Sequence, residues 1–600
     1  MNYTKQLTAA LFMSSLFQAS AMEPGKSQTL TSPEQVPEGL SASDWSSIRS
    51  AYAAGVTSQQ AYVKASNTGQ NDEFGSSVAV AGDTVVVGAS GEDSSTTGVN
   101  SVPNESGGDS GAAYVFIRNG GIWSQQAYLK ASNASARDQF GFSVAVAGDT
   151  VVVGARKEDS STTGVNSVSN EAASESGAAY VFVRSGSTWS HQAYLKASNT
   201  SAGDFFGTSV AVAGDTVVVG ALGESSSTTG VNSVSNEAAS FSGAAYVFFR
   251  SGSTWSQQAY LKASNTSELD QFGFSVAVAG DTVVVGAYLE DSSTTGVNSV
   301  SNEAAAASGA AYVFVRSGST WSQQAYLKAS NTGAFDLFGT SVAVAGDTIV
   351  VGASGEGSLT TGVNSVPNDL AYASGAAYVF IRSGSNWNQQ AYLKASNTSA
   401  DDNFGNSVAV AGDTIVVGSY LEDSSTTGVN SVPNQAADGS GAAFVFVRSD
   451  GNWSQQAYLK ASNNGASDFF GVSVAVSGST VISGSHQEDS TTTGSNSVPN
   501  EAASDSGAAY IFTLPVADPP PIIPPTVVKF LVKVKVSNTK FGKVTGSGSF
   551  NTGSKVVLKA TAKKGHRFLG WFEKKKLVSK NRLLVLKKLT KNRSLVAKFK

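Results

Sequence analysis

The chain has 600 residues, 41% of them apolar, with 62 glycines, 13 prolines and no cysteine. That composition suits a large all-β protein with many tight turns, and the missing cysteines exclude disulfides, thiolate metal sites and cysteine nucleophiles. The formal charge of -5 conceals a division: residues 527–600 carry 21 basic residues against Glu573 alone, a local +20, and the remainder carries -25. Such asymmetry gives the two parts different partners, or each other.

Residues 1–21 combine Lys5, an apolar stretch over 7–17 and Ala19-Ser20-Ala21, which reads as a secretory signal peptide cleaved after Ala21. No later stretch has the ~20 apolar residues of a membrane span. Residues 22–58 form a polar leader in which Ser43 can cap a short helix carrying Trp45, Ile48 and Tyr52.

From residue 59 to 515 one phrase recurs. Phe-Gly stands at Phe74-Gly75, Phe140-Gly141, Phe206-Gly207, Phe272-Gly273, Phe338-Gly339, Phe404-Gly405 and Phe470-Gly471, always 66 residues apart. In the third copy the runs 209–213 and 216–221 are Val-rich and flank Gly214-Asp215, a glycine-first two-residue turn that closes a hairpin. Counting outward from it sets Gly207 near Gly220, two positions where a neighbouring backbone comes close, with Phe206 filling the space beside them. A loop of about 20 residues leads to Gly243-Ala244-Ala245-Tyr246-Val247-Phe248, and a Ser-Gly turn leads to Trp255-Ser256-Gln257-Gln258-Ala259-Tyr260-Leu261-Lys262. Both are strands by composition. Four strands per unit, seven units long, predict a seven-bladed β-propeller of four-stranded blades.

These motifs resemble the FG-GAP repeat, the blade of the integrin α-subunit head and of many secreted bacterial proteins. The resemblance covers residues 59–515 and all seven units. It implies an extracellular binding head, and Phe-Gly as a packing element rather than a catalytic one.

The strand-four phrase also appears once before the first Phe-Gly, at 59–66, and is missing after Phe512. The opening segment is therefore expected to complete the last blade and close the ring. Residues 516–526 are a Pro-rich spacer. Residues 527–600 alternate apolar and basic side chains, as in Val532-Lys533-Val534-Lys535-Val536, and predict a small β-rich module. Its phrases Gly542-Lys543-Val544-Thr545-Gly546, Gly565-His566-Arg567-Phe568-Leu569-Gly570-Trp571 and Ala597-Lys598-Phe599 resemble the divergent internalin-type B-repeat of bacterial surface proteins.

Chemistry is sparse. His191, His486 and His566 neither repeat nor pair, and no nucleophile elbow or phosphate loop occurs. The repeated acids are the candidates: Asp72, Asp138, Asp204, Asp270, Asp336, Asp402 and Asp468 precede Phe-Gly, and Glu92, Glu158, Glu224, Glu290, Glu356, Glu422 and Glu488 follow the second strand. Hairpin counting puts both sets at one end of the blade, where clustered oxygens could supply the six to eight ligands of a calcium ion. The competing reading is turn-capping aspartate and a solvated loop. The integrin calcium pattern itself does not carry over, because its Asp-rich loop is replaced here by Gly82-Asp83 and its equivalents.

The long loops repeat Ser-Ser-Thr-Thr-Gly-Val-Asn-Ser-Val almost verbatim, so they should present one surface seven times, suited to multivalent binding. The sequence thus predicts a monomeric secreted or cell-surface binding protein for an extracellular polymer, glycan or surface protein, without catalysis, whose basic tail binds an anionic envelope polymer. A polysaccharide hydrolase or lyase on a propeller scaffold and a structural envelope component are the alternatives.

Overall fold

The computed structural model describes residues 57–515, 529–551 and 553–600. The signal peptide, the leader helix and the Pro-rich spacer lie outside them.

The chain divides into two compact units, Met1–Pro515 and Val516–Lys600. The first holds seven four-stranded antiparallel sheets. In the third blade the strands are Phe206–Ala213, Thr216–Ala221, Ala244–Ser251 and Thr254–Leu261, hydrogen-bonded in chain order. The first hairpin pairs Ala213 with Thr216 around Gly214 at φ 57°, the glycine-first turn expected from Gly-Asp. Every residue of the second strand, Thr-Val-Val-Val-Gly-Ala, is buried. A continuous apolar run is what a strand needs when both its faces are covered, here by the neighbouring blades.

The hydrophobic cores accordingly lie between blades. Val152, Val181 and Leu195 of the second blade pack with Phe206, Val219, Phe248 and Trp255 of the third. Phe206 is fully buried and meets Tyr246 and Phe248 edge-on, with ring centroids 5.4 and 6.1 Å away. The glycines mark where backbones touch: a Cβ on Gly207 would overlap the Ala178 carbonyl of the preceding blade, and one on Gly220 the Gly273 carbonyl of the following blade. Ser209 Oγ donates to that same Gly273 carbonyl at 2.8 Å.

Closure follows the expected scheme. Ser58–Val63 pairs with Ala508–Thr513 in the last sheet, matching Tyr62 to Tyr510 and Val63 to Ala509. Ser473 Oγ donates to the Gly75 carbonyl at 2.8 Å, repeating at the closure the bond made between the other blades.

In the second unit, Lys529–Val536 pairs parallel with Arg593–Phe599 within a five-stranded sheet, and a three-stranded sheet is built on Val556–Ala562. Val532, Leu558, Trp571 and Leu595 are buried between alternating exposed lysines such as Lys533, Lys535 and Lys559. Among the described residues no helix is long and apolar enough to cross a membrane.

Candidate functional site: the loop end of the propeller

Each blade end is organised by a lysine that sequence reasoning passed over. Glu224 follows the second strand, Lys262 follows the fourth, and both side chains are essentially inaccessible to solvent. Lys262 Nζ donates to Glu224 Oε2 at 2.9 Å, to Ser242 Oγ at 2.8 Å and to the Gly243 carbonyl at 2.6 Å. Glu224 Oε2 also accepts the Ser226 N–H, and Oε1 accepts Tyr260 O–H at 2.8 Å and Asn199 Nδ2 at 2.9 Å. Asn199 belongs to the link from the second blade, and its own Oδ1 accepts Tyr246 O–H at 2.8 Å, so the network crosses from blade to blade. Burial pulls Lys262 below the usual lysine range, while Glu224 opposes the shift.

The same pair forms in all seven blades at 2.8 to 3.0 Å. In the last blade the lysine is Lys64 from the opening strand, so the bond to Glu488 also clasps the ring. One copy deviates: Phe444 stands where the others have tyrosine, and Asn397 Oδ1 is left without a partner.

The preceding aspartates are buried at the same end. Asp270 Oδ2 accepts the Ser267 N–H at 2.7 Å, and the other six cap the same turn. Burial raises Asp270 to about 7 and Asp138 to about 8, against the backbone N–H that favours the charged form.

This geometry bears on the calcium expectation by showing what already occupies the carboxylate oxygens. Glu92, Glu158, Glu224, Glu290, Glu356, Glu422 and Glu488 have both oxygens taken up by an ammonium, a tyrosine, an asparagine and a backbone N–H. Asp72, Asp138, Asp204, Asp270, Asp336, Asp402 and Asp468 each spend one carboxylate oxygen on the backbone N–H of the turn they cap. Among the described residues no three Asp, Glu or His side chains converge in a metal-binding arrangement. A calcium ion wants six to eight free oxygens, and this donor set does not fit one.

The long loops are rigid by the same economy of bonds. Asn232 donates its N–H to the Tyr260 carbonyl and accepts the Tyr260 N–H on Oδ1, which lays residues 230–232 along the outermost strand. Asn236 Oδ1 gathers the Ser227 and Ala238 N–H groups. Val234 is thereby left in solvent, as are its six equivalents, all 82 to 89% exposed.

Nearer the axis, where the innermost strands begin, the copies differ. Three positions per seam between blades adopt left-handed backbone. At the seam before the fifth blade they are Phe335 (φ 64°), Leu337 (φ 58°) and Ala307 (φ 50°), with the Phe335 N–H bonded to the Ala306 carbonyl and the Leu337 N–H to Ala307. Glycine is the unstrained choice at such positions, yet across all seven seams it occurs only at Gly203 and Gly439. Asn71, Arg137, Leu269, Phe335, Asp401 and Ser467 stand where that seam has Gly203, and all six are exposed. Aromatic pairs line this zone: Phe274 with Tyr288 at 4.2 Å and Tyr420 with Phe469 at 5.6 Å. The expectation of one surface shown seven times therefore holds for the outer loops and not for the inner seams.

Comparison with known families matches the FG-GAP repeat at residues 57–116, 123–182, 189–248, 255–314, 321–380, 387–446 and 453–512. Residues 532–600 match the divergent InlB B-repeat domain. No curated protein matches. Among solved structures, a protein of Bacteroides uniformis ATCC 8492 provisionally named a 6-phosphogluconolactonase is 10% identical, with 63% of this chain and 85% of that one covered and a TM-score of 0.35. Both matched repeat types are typical of extracellular and surface proteins.

Proposed function

Because the chain belongs to the FG-GAP repeat family, matched over most of its length, we infer that it is a secreted or surface-held binding protein whose propeller presents its loop end to a ligand. The observation that carries this reading is the contrast at that end: the repeated acids and lysines are enclosed in bonds, while the residues left accessible at the inner seams are varied, partly aromatic and held in costly backbone conformations. Strain that no packing need explains is a signature of recognition sites. Aromatic and arginine side chains on a rigid frame are also what binding surfaces use. The repeated carboxylates are taken up in structural bonds, so the reading rests on the varied seam residues and not on a repeated acid–base pair. The lysine-rich module adds a salt-dependent attraction for anionic envelope polymers. Export would follow from the signal peptide.

The test is a panel of immobilised polysaccharides and matrix proteins probed with the full chain, with and without calcium and at two salt concentrations. Expected is binding that survives calcium removal. Retention on anionic polymers that vanishes with salt would report the module, and salt-resistant retention the propeller. A full chain that binds nothing on the panel while hydrolysing one of its polymers would replace this reading with the enzymatic one.

A further inference from the structure

Between residues 57 and 515, seven lysines pair with the buried glutamates and six arginines pair with aspartates of the Gly-Asp turns. The three basic residues outside these sets, Arg137, Arg156 and Lys157, all stand at the seam between the first and second blades. Arg137 and Lys157 line one cleft with Gln139, Ser174, Asp109 and Glu175. Arg156 adjoins it: Nε donates to Gln139 Oε1 at 2.8 Å, and the guanidinium lies 3.6 Å over the Phe142 ring. At the other six seams the place of Arg156 is held by Ser90, Leu222, Tyr288, Ser354, Tyr420 and His486.

The charges here are unequal in freedom. Lys157 is bridged to Glu175 at 3.2 Å, and Asp159 accepts the Glu175 N–H at 2.7 Å. Neither guanidinium has a carboxylate within ion-pair distance among the described residues, although Asp109 and Asp159 line the same cleft, and Glu73 and Glu175 oppose the burial that pulls Arg156 below its usual range. Arg137 sits at φ 72° where the next seam has Gly203, so carrying a side chain there has a backbone cost that glycine avoids. The stacked, half-buried Arg156 presents a fixed fork, the geometry that suits a planar anion.

We propose that this seam binds a carboxylate or sulfate group carried on an extracellular polysaccharide, with Arg137 and Arg156 as its donors. The proposal rests on the loop end being the binding face and names the chemistry of one part of it.

The experiment uses a chain ending at Pro515, which removes the basic module and keeps every strand pairing of the propeller. The probes are oligogalacturonate for carboxylate, dextran sulfate for sulfate and dextran as the neutral control, titrated calorimetrically at low and high salt. Expected is binding of one acidic probe, none of dextran, and affinity that falls with salt. Arg137→Gly and Arg156→Gln should each weaken it about tenfold or more, as loss of a charged hydrogen bond does, while Arg137→Gly melts no lower than the parent. Binding of neither acidic probe, or equal binding by the doubly substituted chain, overturns the proposal. A Leu269→Gly/Phe335→Gly chain separates the two readings: if it loses binding that the arginine variants keep, the cleft assignment falls and the loop end stands. If no variant changes anything, both fall.

Discussion

The interior of each blade end and the seam beside it were copied seven times together, and they have kept different things. Inside, Glu, Lys, Asn and the outer Tyr are the same in every copy, because they bond one another where little or no water reaches. At the seam the backbone is the same in every copy and the side chains are not. In this chain, sameness between copies marks what the fold needs and variation marks what it tolerates, here at a conformational cost.

The far end of the blade supports that division. There Arg250 reaches Asp215 at 2.8 Å and lies over Trp255, and Asp215 is 54% exposed. The last blade dispenses with the whole set, having Ser479, Leu514 and Thr57 in the equivalent places. An exposed pair is worth little and can be lost; the buried one is retained even where its lysine must come from the other end of the repeat array.

Removing one half of the buried pair should have the largest effect. Lys262→Met leaves Glu224 buried and unpaired and should cost about 3–5 kcal/mol in urea unfolding, with Glu224→Gln in the same chain recovering part of it. Equal midpoints for Lys262→Met and the parent would show that the pair is not buried as described.

A smaller effect comes from pH. Burial lifts Asp270 from 3.8 to about 7, so between those values the folded state holds more protons than the unfolded one. Stability contributed by the protonated acid is present at low pH and lost as pH rises through that window. The urea midpoint should therefore be higher at pH 5.5 than at pH 8, and Asp270→Asn, which is neutral throughout, should reduce the difference by the share of one of the seven raised aspartates. A midpoint that falls on acidification, unchanged by Asp270→Asn, would contradict the burial of this set.

Phe444→Tyr sharpens the comparison from the other side. It supplies the missing donor to Asn397 Oδ1, with an expected gain of about 0.5–1.5 kcal/mol. A loss of that size would mean that the sixth blade has repacked around the phenylalanine.

Much of this was legible in advance. The 66-residue period, the Gly-Asp hairpin and the exchange of the opening strand follow from turn chemistry and counting, whereas the register shift between Phe206 and Ser209 does not. The partner of Glu224 did not, because a lone lysine after a strand reads as solvent-facing; the available signal was its recurrence within Ala-Tyr-Leu-Lys-Ala-Ser, an otherwise apolar phrase. Spacing put Asp270 and Glu290 at one end correctly but could not show that Lys328 stands between the glutamate and any cation. The seam was hidden for another reason. Bulky residues such as Phe335 and Leu269 give no hint of positive φ, and attention to what repeats passes over the positions that do not.

The seam side chains burden the fold rather than support it. The direct measurement is the urea midpoint of a chain carrying Arg137→Gly, Leu269→Gly and Phe335→Gly. Relief of about 1 kcal/mol of left-handed strain at each site, set against about 0.5 kcal/mol of added backbone entropy in the unfolded chain, should leave the variant as stable as the parent or more so. A loss of about 2 kcal/mol or more would show that these side chains hold the ring together, and the division between a repeated frame and a varied binding surface would be wrong.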